Sequence, residues 1–184
     1  NAIAKAVPSF LGGSADLAPS NKTELKEMGN FPKGKNMHFG IREHSMAAIT
    51  NAMALYGTTI PFNATFFVFS DYLKPAARIA ALTHIQNFFV WTHDSIGVGE
   101  DGPTHEPIEH ISQFRALPNF YVWRPADATE NVEAWKTALQ IKAPHGFVLS
   151  RQNLKTLKPK RDFGEVSKGA YIVKKRENAN LTLM

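Results

Sequence analysis

The chain has 184 residues, of which 43% are hydrophobic and 20% charged, and it has no cysteine. That suits one globular domain with at most part of a second, and it excludes a disordered tract, disulfides, thiolate zinc sites and cysteine nucleophiles. The formal charge of +5 sits in the tail, where nine Lys or Arg face three acids from Arg151 onward, while residues 1–150 carry 12 cations and 13 anions; a nucleic-acid reading needs a basic face on a body that is nearly neutral, and no apolar run nears the roughly 20 residues of a membrane span.

The chain opens at Asn1 inside a short helical stretch, Ala2 to Ala6. It stops at Met184 as an apolar pattern resumes with Leu181 and Leu183, so it reads as an excerpt of a longer polypeptide. Candidate strands follow at Ser9 to Leu11, Asn36 to Phe39, Thr58 to Phe62, Phe88 to Thr92, Phe120 to Trp123 and Gly146 to Leu149. Candidate helices lie near 43–56, 66–84, 105–116 and 127–141, the last opened by a capping box of Asp127 and Glu130. Residues 156–168 are rich in Lys and read as a solvated basic linker, and Gly169 to Lys175 as a strand that opens a next domain. Strands alternating with helices predict a three-layer α/β/α sandwich around a mainly parallel sheet of about six strands. Ligands in such sheets sit beyond the carboxyl ends of the strands.

The polar motifs fall at those ends. Gly12-Gly13-Ser14-Ala15-Asp16 is expected as a turn after the first strand, with Ser20 close behind. Thr92 to Glu109 holds three glycines, two prolines, two histidines and five carboxylates. Its bland reading is a surface loop; the functional one gives His93 and His105 hydrogen bonds to a hydroxylated or anionic substrate. Their spacing matches no zinc pattern. Glu43 sits where a strand turns into an amphipathic helix. It is either a first-turn glutamate favoured by the helix dipole or, if buried beside a ligand, a group that holds or passes a proton. Phe66, Phe69 and Tyr72 recur every three residues, as a core stripe or as a stacking wall for a flat heteroaromatic ring. Pro75 either kinks that helix or marks its start near Ser70 to Lys74. Arg151 follows the last strand as a surface residue or a phosphate clamp.

Taken together, the runs FLGGSADLAPSN (10–21), FGIREHSM (39–46), THDSIGVGEDGPTHEPIE (92–109), VWRPAD (122–127) and LSRQN (149–153) resemble the transketolase family in its middle, pyrimidine-binding domain. The resemblance covers about residues 1–155, and residues 169–184 resemble the opening of that family's C-terminal domain. It implies an enzyme that moves a two-carbon ketol unit from a ketose phosphate to an aldose phosphate with thiamine diphosphate. Glu43 resembles the glutamate that bonds the cofactor's aminopyrimidine nitrogen. Phe69 resembles the aromatic that stacks on the pyrimidine, with Phe66 and Tyr72 completing its pocket, and Asp16 is expected near the cofactor. His93 and Asp101 resemble residues that contact sugar hydroxyls, His105 one near the reacting centre, and Ser20 and Arg151 part of the sugar-phosphate site. In the family a separate N-terminal domain binds the diphosphate with Mg2+ or Ca2+ through a GDG motif, which this chain lacks. The resemblance also implies a homodimer, a cytoplasmic location and no activity for the excerpt alone. A related thiamine synthase, such as deoxyxylulose phosphate synthase, and a non-catalytic module of the same fold are the alternatives.

Overall fold

The computed structural model describes residues 1–157, 163–172, 177–178 and 181. Six strands form one sheet: β1 (Phe10–Ser14), β2 (Asn36–His38), β3 (Ile60–Phe66), β4 (Phe88–Asp94), β5 (Tyr121–Trp123) and β6 (His145–Ser150). Their order is β2-β1-β3-β4-β6-β5, and every pairing is parallel. Helices α1 (Ala2–Ala6), α2 (Ala18–Asn21), α3 (Glu43–Tyr56), α4 (Ser70–Leu82), α5 (His110–Arg115) and α6 (Ala128–Ala138) complete the α/β fold.

The three layers follow from the side-chain alternation of a strand. In β4, Phe88 and Val90 join one core with Phe10, Phe62, Ala134 and Phe147. Phe89 and Trp91 join the other with Met46, Phe67, Leu73, Ala77 and Phe114. α3 and α4 cover the second face with small residues, and α6 covers the first. Asp127 caps α6 by accepting from the amides of Thr129 (3.1 Å) and Glu130 (3.0 Å). Glu130 accepts in turn from the Ala126 amide at 2.6 Å, one residue before the cap.

Several expectations are corrected. Gly12 and Gly13 lie inside β1, not in a turn after it. A Cβ at Gly13 would sit 1.7 Å from the Met37 carbonyl oxygen, and one at Gly12 1.9 Å from that of Phe62, so the pair permits close approach of both neighbouring strands. Phe66, Phe69 and Tyr72 do not share a helix: Phe66 ends β3, Phe67–Phe69 form a 3-10 turn, and Tyr72 belongs to α4. α4 starts at Ser70, as one of the two readings of Pro75 expects, and continues through that proline. The helix expected at 105–116 begins only at His110, because Pro103 and Pro107 break the approach to it.

The tail is not simply a solvated linker. A 3-10 helix spans Phe163–Lys168, and Val166 is buried. The Leu157 amide donates to Asp127 at 3.0 Å, and the Tyr171 hydroxyl donates to Glu130, so both described segments attach to the start of α6. Residues 169–172 form no strand, and the rest of the strand expected to Lys175 lies outside the described residues.

Candidate active site at the carboxyl end of the sheet

β1 is followed by β2 on one side and β3 on the other, so the chain reverses direction across the sheet there. Such a reversal opens a crevice at the carboxyl ends of the strands. Glu43 follows β2, Asp16 and Ser20 follow β1, Phe69 follows β3, and His93 lies at the end of β4. Parallel pairing therefore brings all of them to one end of the sheet.

Aromatic rings line up there. His93 stacks on Phe66 with centroids 3.7 Å apart and planes 20° apart. Phe66 and Phe69 are nearly parallel at 5.9 Å and 8°, and Phe69 and Tyr72 at 6.1 Å and 25°. His105 closes the row edge-on, 67° to Phe66 and 73° to Phe69. The result is a wall with flat faces and an imidazole at each of two places along it. Phe66 is buried, Phe69 half-buried and Tyr72 exposed.

His93 is set by an irregular backbone. The β4–β6 register shifts between Trp91 and Asp94, and His93 has φ of 62°. A bulge of this kind re-aims a side chain, and a left-handed non-glycine residue costs about 1–3 kcal/mol. Burial pushes the His93 imidazole below its ordinary pKa. Asp101 opposes that shift, while Arg151 and His105 add to it, so all three act on the ring. The following loop is fastened down. Asp94 is buried and receives Arg124 Nε at 2.8 Å and Nη2 at 2.6 Å. Ser95 Oγ donates to Gln152 Oε1 at 2.7 Å and accepts the Gly97 amide at 3.1 Å. This clamps the loop to the strand end that carries Arg151.

Glu43 is the first residue of α3 and only 8% exposed. Among the described residues its carboxylate makes no hydrogen bond. Asp16, Ser20, Asp101 and Arg151 are exposed. Neither Glu43, Asp16 nor Ser20 belongs to the ring contacts around His93. Its neighbours Arg42, Ser45 and Met46, with Met37 and Phe39, line a groove of about 340 Å³ to which Glu43 itself does not contribute. Asp71, Glu109 and His110 each offer a ligand atom within 4.8 Å of one another. Asp71 faces Nε2 of His110 (3.2 Å) and Glu109 faces Nδ1 (3.9 Å). An ion in the ring plane meets only one of those nitrogens, so the grouping suits a flanked imidazole better than a metal centre.

Sequence reasoning missed Ser14, Asn21 and Thr92, a hydrogen-bonded series that ends on His93 Nδ1. All three are buried polar residues. A hydroxyl or amide in a short polar run carries no signal of burial, so only the fold reveals them.

The family model for the transketolase pyrimidine-binding domain matches residues 1–156. The chain is 56% identical over 180 residues to a transketolase of Halalkalibacterium halodurans, covering 94% of this chain and 27% of that protein. The crystal structure of a Campylobacter jejuni transketolase is similar with a TM-score of 0.93 and 64% identity, over 96% of this chain and 28% of the other. A Pichia stipitis transketolase in complex with sedoheptulose-7-phosphate is similar with a TM-score of 0.92 and 42% identity, over the same shares. The chain thus spans little more than a quarter of the length of the relatives it matches.

Proposed function

The chain belongs to the transketolase pyrimidine-binding domain family, and on that premise we propose that its sheet-end site holds the aminopyrimidine of thiamine diphosphate in an enzyme that passes a two-carbon ketol unit between sugar phosphates. The observation that carries this reading is Glu43: a residue only 8% exposed, its carboxylate free of hydrogen bonds among the described residues, at the ligand end of a parallel sheet. A protonated ring nitrogen is the partner such a group lacks. The flat wall of Phe66, Phe69 and Tyr72 suits the ring itself. The residues present therefore fit the group.

Bound thiamine diphosphate supplies a carbon nucleophile and an electron sink for the transferred unit. Glu43 holds the proton at the pyrimidine nitrogen. Phe69 would stack on the ring, with Phe66 and Tyr72 extending the wall and Asp16 close to the cofactor. His93 and Asp101 would receive sugar hydroxyls, and His105 would serve near the reacting centre. Arg151, with its planar fork of donors, holds the sugar's phosphate together with Ser20. The relative complexed with sedoheptulose-7-phosphate supports this substrate class.

Residues 1–155 form the pyrimidine-binding domain in this reading, 156–168 a connector and 169–184 the opening of a C-terminal domain. The diphosphate and its Mg2+ or Ca2+ fall to a domain outside this chain. A homodimer is the assembly this reading implies for the working enzyme, and Ile96 and Ile108, 98% and 85% exposed on the loop between His93 and Glu109, are available to a second subunit in it. Among the described residues no helix is long and apolar enough to cross a membrane. The cytoplasm is the location this reading implies.

The test combines this chain with a chain that carries the diphosphate-binding domain, and assays a ketose phosphate donor with an aldose phosphate acceptor. Ketol transfer by the combination, and none by this chain alone, is the expected result. Decarboxylation of pyruvate in place of ketol transfer would overturn it.

A further inference from the structure

A line of hydrogen bonds runs from the β3 backbone to His93, and its direction is fixed at one end. Ser14 Oγ lies 3.0 Å from the Ala64 carbonyl oxygen. A carbonyl only accepts, so the single Ser14 proton is spent there. Asn21 lies next, with Nδ2 2.8 Å from Ser14 Oγ. Its amide must donate to Ser14, since the reversed amide would set Oδ1 against an oxygen whose proton is committed. Oδ1 of Asn21 therefore faces Thr92 and accepts from Thr92 Oγ1 at 2.6 Å. That spends the only Thr92 proton. The 2.8 Å contact between Thr92 Oγ1 and His93 Nδ1 is then made by the ring's own N–H.

Ser14 is 2% exposed, Asn21 4% and Thr92 8%, so solvent does not stand in for a missing partner. Nε2 of His93 makes no hydrogen bond among the described residues. We propose that Ser14, Asn21 and Thr92 are positioning residues that hold His93 as the Nδ1–H tautomer, leaving Nε2 as a proton acceptor. Burial lowers the ring's proton affinity, which favours the neutral form that a tautomer-defined acceptor must have. The same chain contains the opposite arrangement: Trp123 Nε1 donates to Nδ1 of His145 at 3.0 Å, and the His145 Nε2–H faces the Ile141 carbonyl at 3.0 Å. Two imidazoles of one domain are thus held in opposite tautomers by their second partners. The use of Nε2 to receive a sugar hydroxyl rests on the proposed function; the tautomer itself does not.

Nitrogen-15 NMR of the imidazoles in the full chain near pH 8 tests this without cofactor or sugar. His93→Gln identifies the ring, and His145 serves as the internal contrast. His93 is expected to show a protonated Nδ1 and a bare Nε2, with His145 reversed. Thr92→Val, which keeps the shape and removes the hydroxyl, is expected to lower the Nδ1–H population of His93 at least several-fold, and Thr92→Ser to restore it. A wild-type His93 protonated on Nε2 overturns the proposal, whether or not any variant folds. So does a Thr92→Val chain with intact His145 signals and an unchanged His93 tautomer.

Discussion

The His93 imidazole and the Phe66 ring lie face to face, 3.7 Å apart and 20° from parallel. They come from adjacent strands, β3 and β4, whose register pairs Phe66 with Thr92. The bulge after Trp91 carries His93 out of the regular ladder and over the Phe66 face. Ring currents from Phe66 therefore shield the His93 ring protons. In Phe66→Leu those protons are expected to move downfield toward ordinary imidazole positions in proton NMR, with His145 unchanged. Unmoved His93 signals would show that the stack is not formed.

Acid stability is expected to depend on His145. It is fully buried, and burial holds its pKa below the ordinary 6.5, with the Ile141 carbonyl acting in the opposite direction. Its Nδ1 must stay bare to accept from Trp123. Between the native and ordinary values the unfolded chain binds more protons, so stability is complete above about pH 6.5 and falls as pH drops through the native value. His145→Gln is expected to be less stable than wild type by about 1–3 kcal/mol at pH 8, with the gap narrowing toward pH 5. Denaturant melts at the two pH values check this. A constant gap would contradict it.

A second buried network ties α3 to the sheet. Asn87 donates to Thr50 Oγ1 at 3.0 Å and to Asn51 Oδ1 at 2.8 Å, and Asn63 donates to Thr50 at 2.9 Å. Asn63, Asn87 and Thr50 are fully buried. Truncating one member leaves the others unsatisfied, which costs about 1–3 kcal/mol. Asn87→Ala is expected to lower unfolding free energy by that amount in urea. A loss below about 0.5 kcal/mol, the range of neutral surface changes, would deny the network its role.

The sheet and most helices were legible because their patterns are local. β4 alternates between two cores residue by residue, and α6 opens on a cap written within four residues. The glycine pair misled, since a turn and a close strand approach both call for glycine, and only the fold, in which a Cβ at Gly13 would lie 1.7 Å from the Met37 carbonyl oxygen, tells them apart. The period of three from Phe66 to Tyr72 crosses a strand end, a 3-10 turn and a helix start, so the spacing was real and its helical reading was not. The histidines and aromatic rings gathered at the sheet end stood out in the sequence by their types. Their supports did not: Thr92 reaches Asn21 across 71 residues, and no local pattern encodes that contact.

Turnover of the full-length protein with Glu43→Ala is the most direct measurement. Glu43 is buried at the start of α3 without a hydrogen-bond partner among the described residues, and the proposed function gives it the proton at the pyrimidine nitrogen. With the fold intact by circular dichroism, ketol transfer is expected to fall more than about a hundredfold, the scale of a lost general acid–base group. Turnover near that of the wild type would contradict the account.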